Sequence, residues 1–316
     1  MIKINNSTIR SIAFALAIFL VFIPTFSFAL VNEEGVDKFR KSVKSILSNT
    51  CLRKNNYGVK IYSLDRGETL YEIRSKQLFI PASNAKVLTT AVALKYLGSN
   101  YRFSTEFYTD GILENETLKG NLYIKGSGDP KLVTEQLWLI VNELRNLPIK
   151  KIKGNIIADD SFFDNQKRIK TWIKNPGAQA YEAPLGALSF NFNTVKVYVS
   201  PGVKVGDRPG IVIEPENEYI KLENNAQTLR PGKRRRLIVN RVDKEDHDLI
   251  TVSGGINIGQ PRAHYFLNIT NPTQYALSVF KSYIDLSGIT FDGQLQRGKV
   301  PDDAMELYIH EGEPLA

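Results

Sequence analysis

Within Pro81-Ala82-Ser83-Asn84-Ala85-Lys86 a serine is followed three residues later by a lysine, at the opening of an apolar helical run. A serine hydroxyl is a poor nucleophile unless a neighbour takes its proton, and a lysine amine can do so. On a helix, residues three apart are surface neighbours, so the end of Lys86 folds back over Ser83. The chemistry this spacing predicts is acyl transfer, with Ser83 as nucleophile and Lys86 as its general base. Ser83 also opens its helix, where free N–H groups and the dipole favour a developing negative charge.

Such a pair needs weighing against chance, because Ser-x-x-Lys arises about once in a chain of this length at ordinary residue usage. A second copy, Ser278 and Lys281, lies on a later helix. There Tyr275, Ala276, Val279, Phe280 and Tyr283 form the apolar arc, so Ser278 and Lys281 are expected on a solvated face. Ser189-Phe190-Asn191 is expected to be structural, and Lys125-Gly126-Ser127-Gly128 reads as a tight glycine turn. The latter is no phosphate loop, since it lacks a Gly-Lys-Ser/Thr ending.

The elements that must position Ser83 follow from periodicity. Val36, Phe39, Val43, Ile46 and Leu47 have helical spacing. Val59–Leu64 and Thr69–Ile73 are β-rich runs joined by Asp65-Arg66-Gly67-Glu68, which predicts a hairpin. The Ser83 helix then continues through Val87, Leu88, Ala91, Val92 and Leu94 and stops near Gly98. After about Tyr101 the texture becomes a series of short β-like runs between Gly, Pro and Asn turns. Helical runs over Glu135–Leu144 and Thr273–Leu286 interrupt it, and a last strand covers Met305–His310.

The 316 residues are 42% hydrophobic and 23% charged, ordinary for a globular protein, and the net charge is +8. Residues 1–29 read as a secretory signal peptide: Lys3 and Arg10 precede an apolar stretch, and Ser27-Phe28-Ala29 is a small-x-small cleavage site. A membrane anchor fits less well, because Pro24, Thr25 and Ser27 shorten the apolar run. The expectation is an exported protein of the periplasm or cell envelope, with no transmembrane anchor in the mature chain. Cys51 is the only cysteine, so no intramolecular disulfide forms. His247, His264 and His310 are scattered and lack zinc-site spacing, so neither metal nor cofactor is expected. Lys233-Arg234-Arg235-Arg236 reads as a basic surface turn, with contact to anionic envelope polymers as the sharper alternative. Without aromatic interleaving, and in an exported chain, it does not argue for nucleic acid.

Several segments together resemble the D-alanyl-D-alanine carboxypeptidase/endopeptidase family, the class C low-molecular-mass penicillin-binding proteins. They are Pro81-Ala82-Ser83-x-x-Lys86, Gly126-Ser127-Gly128-Asp129-Pro130, the Gly154–Phe163 run, Tyr181-Glu182-Ala183-Pro184 with Ala187–Asn193, and Asn271-Pro272. The resemblance implies an α/β (α+β) transpeptidase/β-lactamase-like domain interrupted by a large β-rich insertion. Residues 30–104 would form its first part, 105–290 the insertion, and 291–316 the return to the first domain.

The resemblance also implies the reaction. Ser83 attacks the penultimate carbonyl of a D-Ala-D-Ala peptidoglycan stem, the terminal D-alanine leaves, and water hydrolyses the acyl-enzyme. β-Lactams would trap that intermediate as inhibitors. Lys86 must be neutral to accept the proton, which calls for burial and polar neighbours. The Ser83 N–H would supply one oxyanion donor. Trp172 lies in a stretch the family places beside the substrate groove. Family members carry a Ser-x-Asn motif and a Lys-Thr-Gly strand as well, and His310–Ala316 resembles the run into the first of these. The fold is thus expected to be incomplete at its C-terminus. These residues alone are expected to be inactive and poorly soluble, with an unpaired sheet edge and an exposed apolar face. The alternative function is a non-catalytic peptidoglycan-binding remnant. A β-lactamase or esterase is disfavoured, since those enzymes lack the insertion.

Overall fold

The computed structural model describes residues 33–48, 57–169, 177–233 and 236–316. The expected signal segment, Cys51 and Trp172 lie outside the described residues. The chain divides into two compact units, Met1–Thr89 and Thr90–Ala316.

In the first unit, helix α1 (Glu33–Ser48) begins with two acidic residues, Glu33 and Glu34, which suit the positive end of the helix dipole. Strands β1 (Val59–Ser63) and β2 (Glu68–Ile73) form an antiparallel hairpin. Gly67 takes the left-handed conformation its turn requires, at φ 64°. Arg40 Nε donates to the Leu70 carbonyl at 2.8 Å, tying α1 to β2. Among the described residues, β1 and β2 pair only with each other. Helix α2 (Ala85–Leu97) starts in this unit, and the division falls inside it.

The second unit is built on two mixed sheets. Strands β3 (Arg102–Thr109), β6 (Leu122–Gly126), β8 (Ile156–Asp159), β18 (Leu295–Arg297) and β19 (Met305–Pro314) form a five-stranded sheet in the order β18-β8-β6-β3-β19. Its strands β18, β8 and β6 run parallel, whereas β3 is antiparallel to both β6 and β19. A four-stranded sheet joins β4 (Ile112–Glu114), β5 (Thr117–Lys119), β7 (Lys151–Lys153) and β17 (Thr290–Phe291) in the order β17-β7-β5-β4.

Helices α3 (Thr134–Asn146) and α4 (Pro272–Leu286) pack on each other and on strands of the five-stranded sheet. Leu137, Ile140, Val141 and Leu144 of α3 recur at helical spacing and are buried, as the sequence pattern demands. They join Phe107, Ile124 and Phe280 in one core. Burying each such side chain contributes about 1.5–3 kcal/mol. Asn271 caps α4 by accepting the Gln274 N–H, and Pro272 fills the first helical turn, where no donor is missed.

The remaining strands form smaller sheets. Strands β9 (Thr194–Ser200), β10 (Gly210–Glu214) and β16 (Ala263–Asn268) pair antiparallel in the order β10-β9-β16. Strands β11 (Ile220–Asn224), β13 (Ile238–Asp243) and β14 (Asp248–Ser253) form a second trio, and β12 (Gln227–Leu229) pairs with β15 (Gly255–Asn257). Val195, Val197 and Val199 alternate inward along β9 and are almost fully buried. Among the described residues, no helix is long and apolar enough to cross a membrane.

Candidate active site

Ser83 sits in the single 3-10 turn Ala82–Asn84 that leads into α2. Pro81 sets the entry at φ −68°, and Asn84 N donates to the Pro81 carbonyl at 2.9 Å. Ala82, immediately before the nucleophile, takes φ 46°, a left-handed conformation that costs a non-glycine residue about 1–2 kcal/mol. Ala, Leu and Lys in Ala85–Leu97 are good helix formers, and Gly98 closes the helix at φ 84° with its N–H on the Leu94 carbonyl.

The spacing then does what the sequence predicts. Lys86 Nζ stands 3.2 Å from Ser83 Oγ, within reach for proton transfer. Both residues are exposed. The burial expected around Lys86 is therefore not provided by the described residues. The same holds for the apolar side chains of α2: Val87 is 73% exposed and Leu88 70%. No residue of this helix is buried.

In the second unit the Gly126–Pro130 segment is a junction. Gly126 packs so closely that a Cβ there would lie 2.3 Å from the Ala187 carbonyl. Gly128, at φ 87°, donates its N–H to that same carbonyl at 2.7 Å, and the Phe163 ring covers it. Ser127 Oγ donates to the Ser104 carbonyl and accepts the Ser104 N–H. Three segments that sequence reasoning picked out separately thus meet at one place.

Beside it, Asp159, Asp160, Phe163, Asn165 and Arg297 line a cleft of about 430 Å³. Buried Asp160 accepts from Arg297 Nε at 2.7 Å and from Thr273 Oγ1 at 2.5 Å. Asp159 accepts the Ser161 and Val300 N–H groups. Burial raises the pKa of its carboxyl, but these bonds outweigh that and leave it below the usual value. Lys167, nearby, is lowered by burial, with Asp160 opposing and Arg297 adding to the shift. Sequence reasoning marked the Gly154–Phe163 run but not its meeting with Asn165 and Arg297. Its signal was a consecutive acid pair directly after an apolar strand.

A sequence profile of the D-Ala-D-Ala carboxypeptidase 3 (S13) family matches residues 39–316. The chain belongs to that family. It is 26% identical over 289 residues to a D-alanyl-D-alanine carboxypeptidase of an Actinomadura species, covering 89% of this chain and 53% of the relative. It is 23% identical over 296 residues to the carboxypeptidase DacB of Haemophilus influenzae, covering 92% and 60%. The chain thus spans between half and two thirds of the length of these relatives. The crystal structure of penicillin-binding protein 4 (DacB) from Haemophilus influenzae superposes with a TM-score of 0.69 at 23% identity, over 82% of this chain and 57% of that one. The mixed α/β architecture is therefore that of penicillin-binding protein 4.

Against the family pattern the decoys resolve clearly. Ser189 Oγ donates to the Gly186 carbonyl, and Asn191 bonds to Thr134, so both serve the loop. Ser278 is a correction: it is only 4% exposed, not solvated. Its hydroxyl accepts the N–H groups of Glu218 and Tyr219 at 2.8 and 3.0 Å, because the 217–220 segment covers a second side of α4. Lys281 is committed to Asp285 and Glu218, which raise its pKa, so no neutral amine faces Ser278.

Proposed function

We propose that the protein is a serine-type D-Ala-D-Ala carboxypeptidase/endopeptidase that acts on peptidoglycan stems through an acyl-enzyme on Ser83. The observation that carries this reading is the 3.2 Å approach of Lys86 Nζ to Ser83 Oγ within a family member. Lys86 Nζ takes the hydroxyl proton while Ser83 Oγ bonds to the carbonyl carbon of the penultimate D-alanine. The C–N bond to the terminal D-alanine then breaks, its amine leaves carrying the proton taken from Ser83, and water cleaves the ester to regenerate Ser83. A β-lactam offers a strained amide to the same hydroxyl and stays attached.

The positions Ser83 and Lys86 supply nucleophile and base. Recognition of the terminal carboxylate and protonation of the leaving amine belong, by the family pattern, to its Ser-x-Asn and Lys-Thr-Gly motifs. These 316 residues contain neither motif as an assignable catalytic element. The exposure of Ser83 and Lys86 favours, as a second reading, a non-catalytic protein that binds peptidoglycan. Consistent with either reading, the leading segment directs export to the periplasm or envelope.

Release of D-alanine from a D-Ala-D-Ala-terminated pentapeptide, by protein isolated from its source cells, tests the first reading. Release that disappears in Ser83→Ala is the expected result. Release that persists in Ser83→Ala overturns the assignment of the nucleophile. Absent release with retained binding to peptidoglycan selects the second reading.

A further inference from the structure

Lys233 and Arg236, the described ends of the basic run, are exposed beside the Pro231-Gly232 turn. Lys233 and Arg236 line an open cleft of about 710 Å³ together with Arg262, Asn257 and Gln260. Among the described residues, no aspartate or glutamate lines that cleft. Among the described residues, none of its three cations stands in an ion pair. Elsewhere the lysines and arginines of the second unit often meet a carboxylate, as Lys131 meets Glu313 and Arg297 meets Asp160. Three unneutralised cations around one concavity make a site for anions.

The cleft is also pre-shaped. Gly254, at φ 87°, lies under the Arg236 backbone, where a Cβ would come within 1.9 Å of the Arg236 carbonyl. The Arg262 guanidinium stacks on the Tyr198 ring at 3.5 Å from its centroid, which restricts its rotamers before any ligand arrives. Gln260 Oε1 accepts the Asn257 N–H at 3.0 Å, leaving its amide NH₂ available as a donor. From Tyr198 the β9–β16 face continues through His264 to Phe266, whose rings meet edge to face at 5.8 Å, and Phe266 is 50% exposed.

We propose that this cleft binds the carboxylate-bearing peptide stems of peptidoglycan and so holds the polymer against the β-rich unit. The inference rests on the substrate reading above and adds to it a second contact, away from Ser83 in sequence. Stem carboxylates match the guanidinium forks, stem amides match Asn257 and Gln260, and the exposed aromatic edge suits the apolar face of a sugar. A recess with amide groups fits a strand with side branches better than it fits a planar lipid surface.

Co-sedimentation of the full chain with purified peptidoglycan, freed of attached polymers, tests this. The comparison protein carries Arg236→Glu with Arg262→Glu, and Lys38→Glu with Lys41→Glu on exposed α1 controls for net charge. The expected result is at least tenfold weaker binding for the cleft pair, binding unchanged for the α1 pair, and wild-type binding that weakens with salt. Arg262→Gln, which removes one charge without reversing it, should give an intermediate loss at an unchanged thermal midpoint. Equal losses in the cleft and α1 pairs, or no loss in Arg262→Gln and the cleft pair, overturn the proposal. So does equally tight, cleft-dependent binding to phosphatidylglycerol vesicles, which would assign the site to lipid. Penicillin labelling of Ser83 in the same samples reads the catalytic proposal separately, since the cleft substitutions should leave it unchanged.

Discussion

Arg297 donates from Nε to Asp160 Oδ1 at 2.7 Å, joining two residues 137 positions apart in the chain. Asp160 follows β8 and Arg297 ends β18, so the bond locks together the ends of neighbouring parallel strands. Thr273, at the start of α4, reaches the other oxygen of the same carboxylate. Sheet and helix are thereby fixed to one buried group.

Replacing Asp160 by alanine removes the acceptor of Arg297 Nε and of the Thr273 hydroxyl, leaving Arg297 only its bond to Asn165 among the described residues. Loss of charge-assisted bonds at a buried site costs roughly 2–4 kcal/mol. The expected outcome is a thermal midpoint lower by several degrees in calorimetry. A midpoint within 1 °C or so of wild type would show that water replaces these bonds at no cost.

Gly126→Ala should be among the most damaging single-methyl additions in the chain. The new Cβ meets the Ala187 backbone carbonyl, which cannot rotate away. A cost of about 3 kcal/mol or more is expected, read from urea unfolding. Gly98→Ala, with nothing within 4 Å of its Cβ, should cost only the left-handed backbone strain, about 1 kcal/mol.

His310 carries a pH dependence of definite sign. It is 8% exposed, Nε2 has no partner among the described residues, and burial lowers its pKa from 6.5 while Asp129 partly opposes. The unfolded chain therefore binds a proton at pH values where the folded protein does not. Stability from this group is present above pH 6.5 or so and is lost as pH falls through the window below it. Denaturant midpoints measured between pH 7.5 and 5 should drop, and His310→Gln should flatten that part of the profile. An equal drop in the variant would move the effect to other groups.

Ser278→Ala removes the oxygen that accepts two backbone N–H groups, at Glu218 and Tyr219. About 1–3 kcal/mol should be lost, with faster hydrogen exchange at those two amides. Unchanged exchange would mean that the 217–220 segment holds its place without the serine.

How legible the chain was depended on how local each signal is. Amphipathic spacing in Glu135–Leu144 and Thr273–Leu286 placed both long helices of the second unit within one or two residues. Val195, Val197 and Val199 carry the period-two alternation that suits β9. The same periodicity misassigned Ser278, because a helical wheel shows one buried arc and cannot show a second segment arriving from sixty residues away. Strand β3 gives a weaker signal, since Arg102, Ser104 and Glu106 interrupt its apolar residues with charge and hydroxyls that the fold uses as partners. At the site, Ser83 and Lys86 were legible because i, i+3 spacing is local geometry. Asp160 with Arg297, and Arg236 with Arg262, were not, because chain topology alone brings them together.

Lys86→Gln should leave stability nearly unchanged, since the side chain is exposed and, among the described residues, bonds only Ser83. Its penicillin acylation rate should fall by about 10²–10⁴, the usual contribution of a positioned base. Wild-type acylation in Lys86→Gln would remove Lys86 from the mechanism.

Exposing the source cells to a tagged penicillin, isolating the protein and mapping the adduct by mass spectrometry tests the Ser83 acyl-enzyme directly. One penicilloyl group is expected, on the peptide containing Ser83 and absent in Ser83→Ala. Protein that is present but unlabelled, or labelled on another residue such as Ser278, would contradict it.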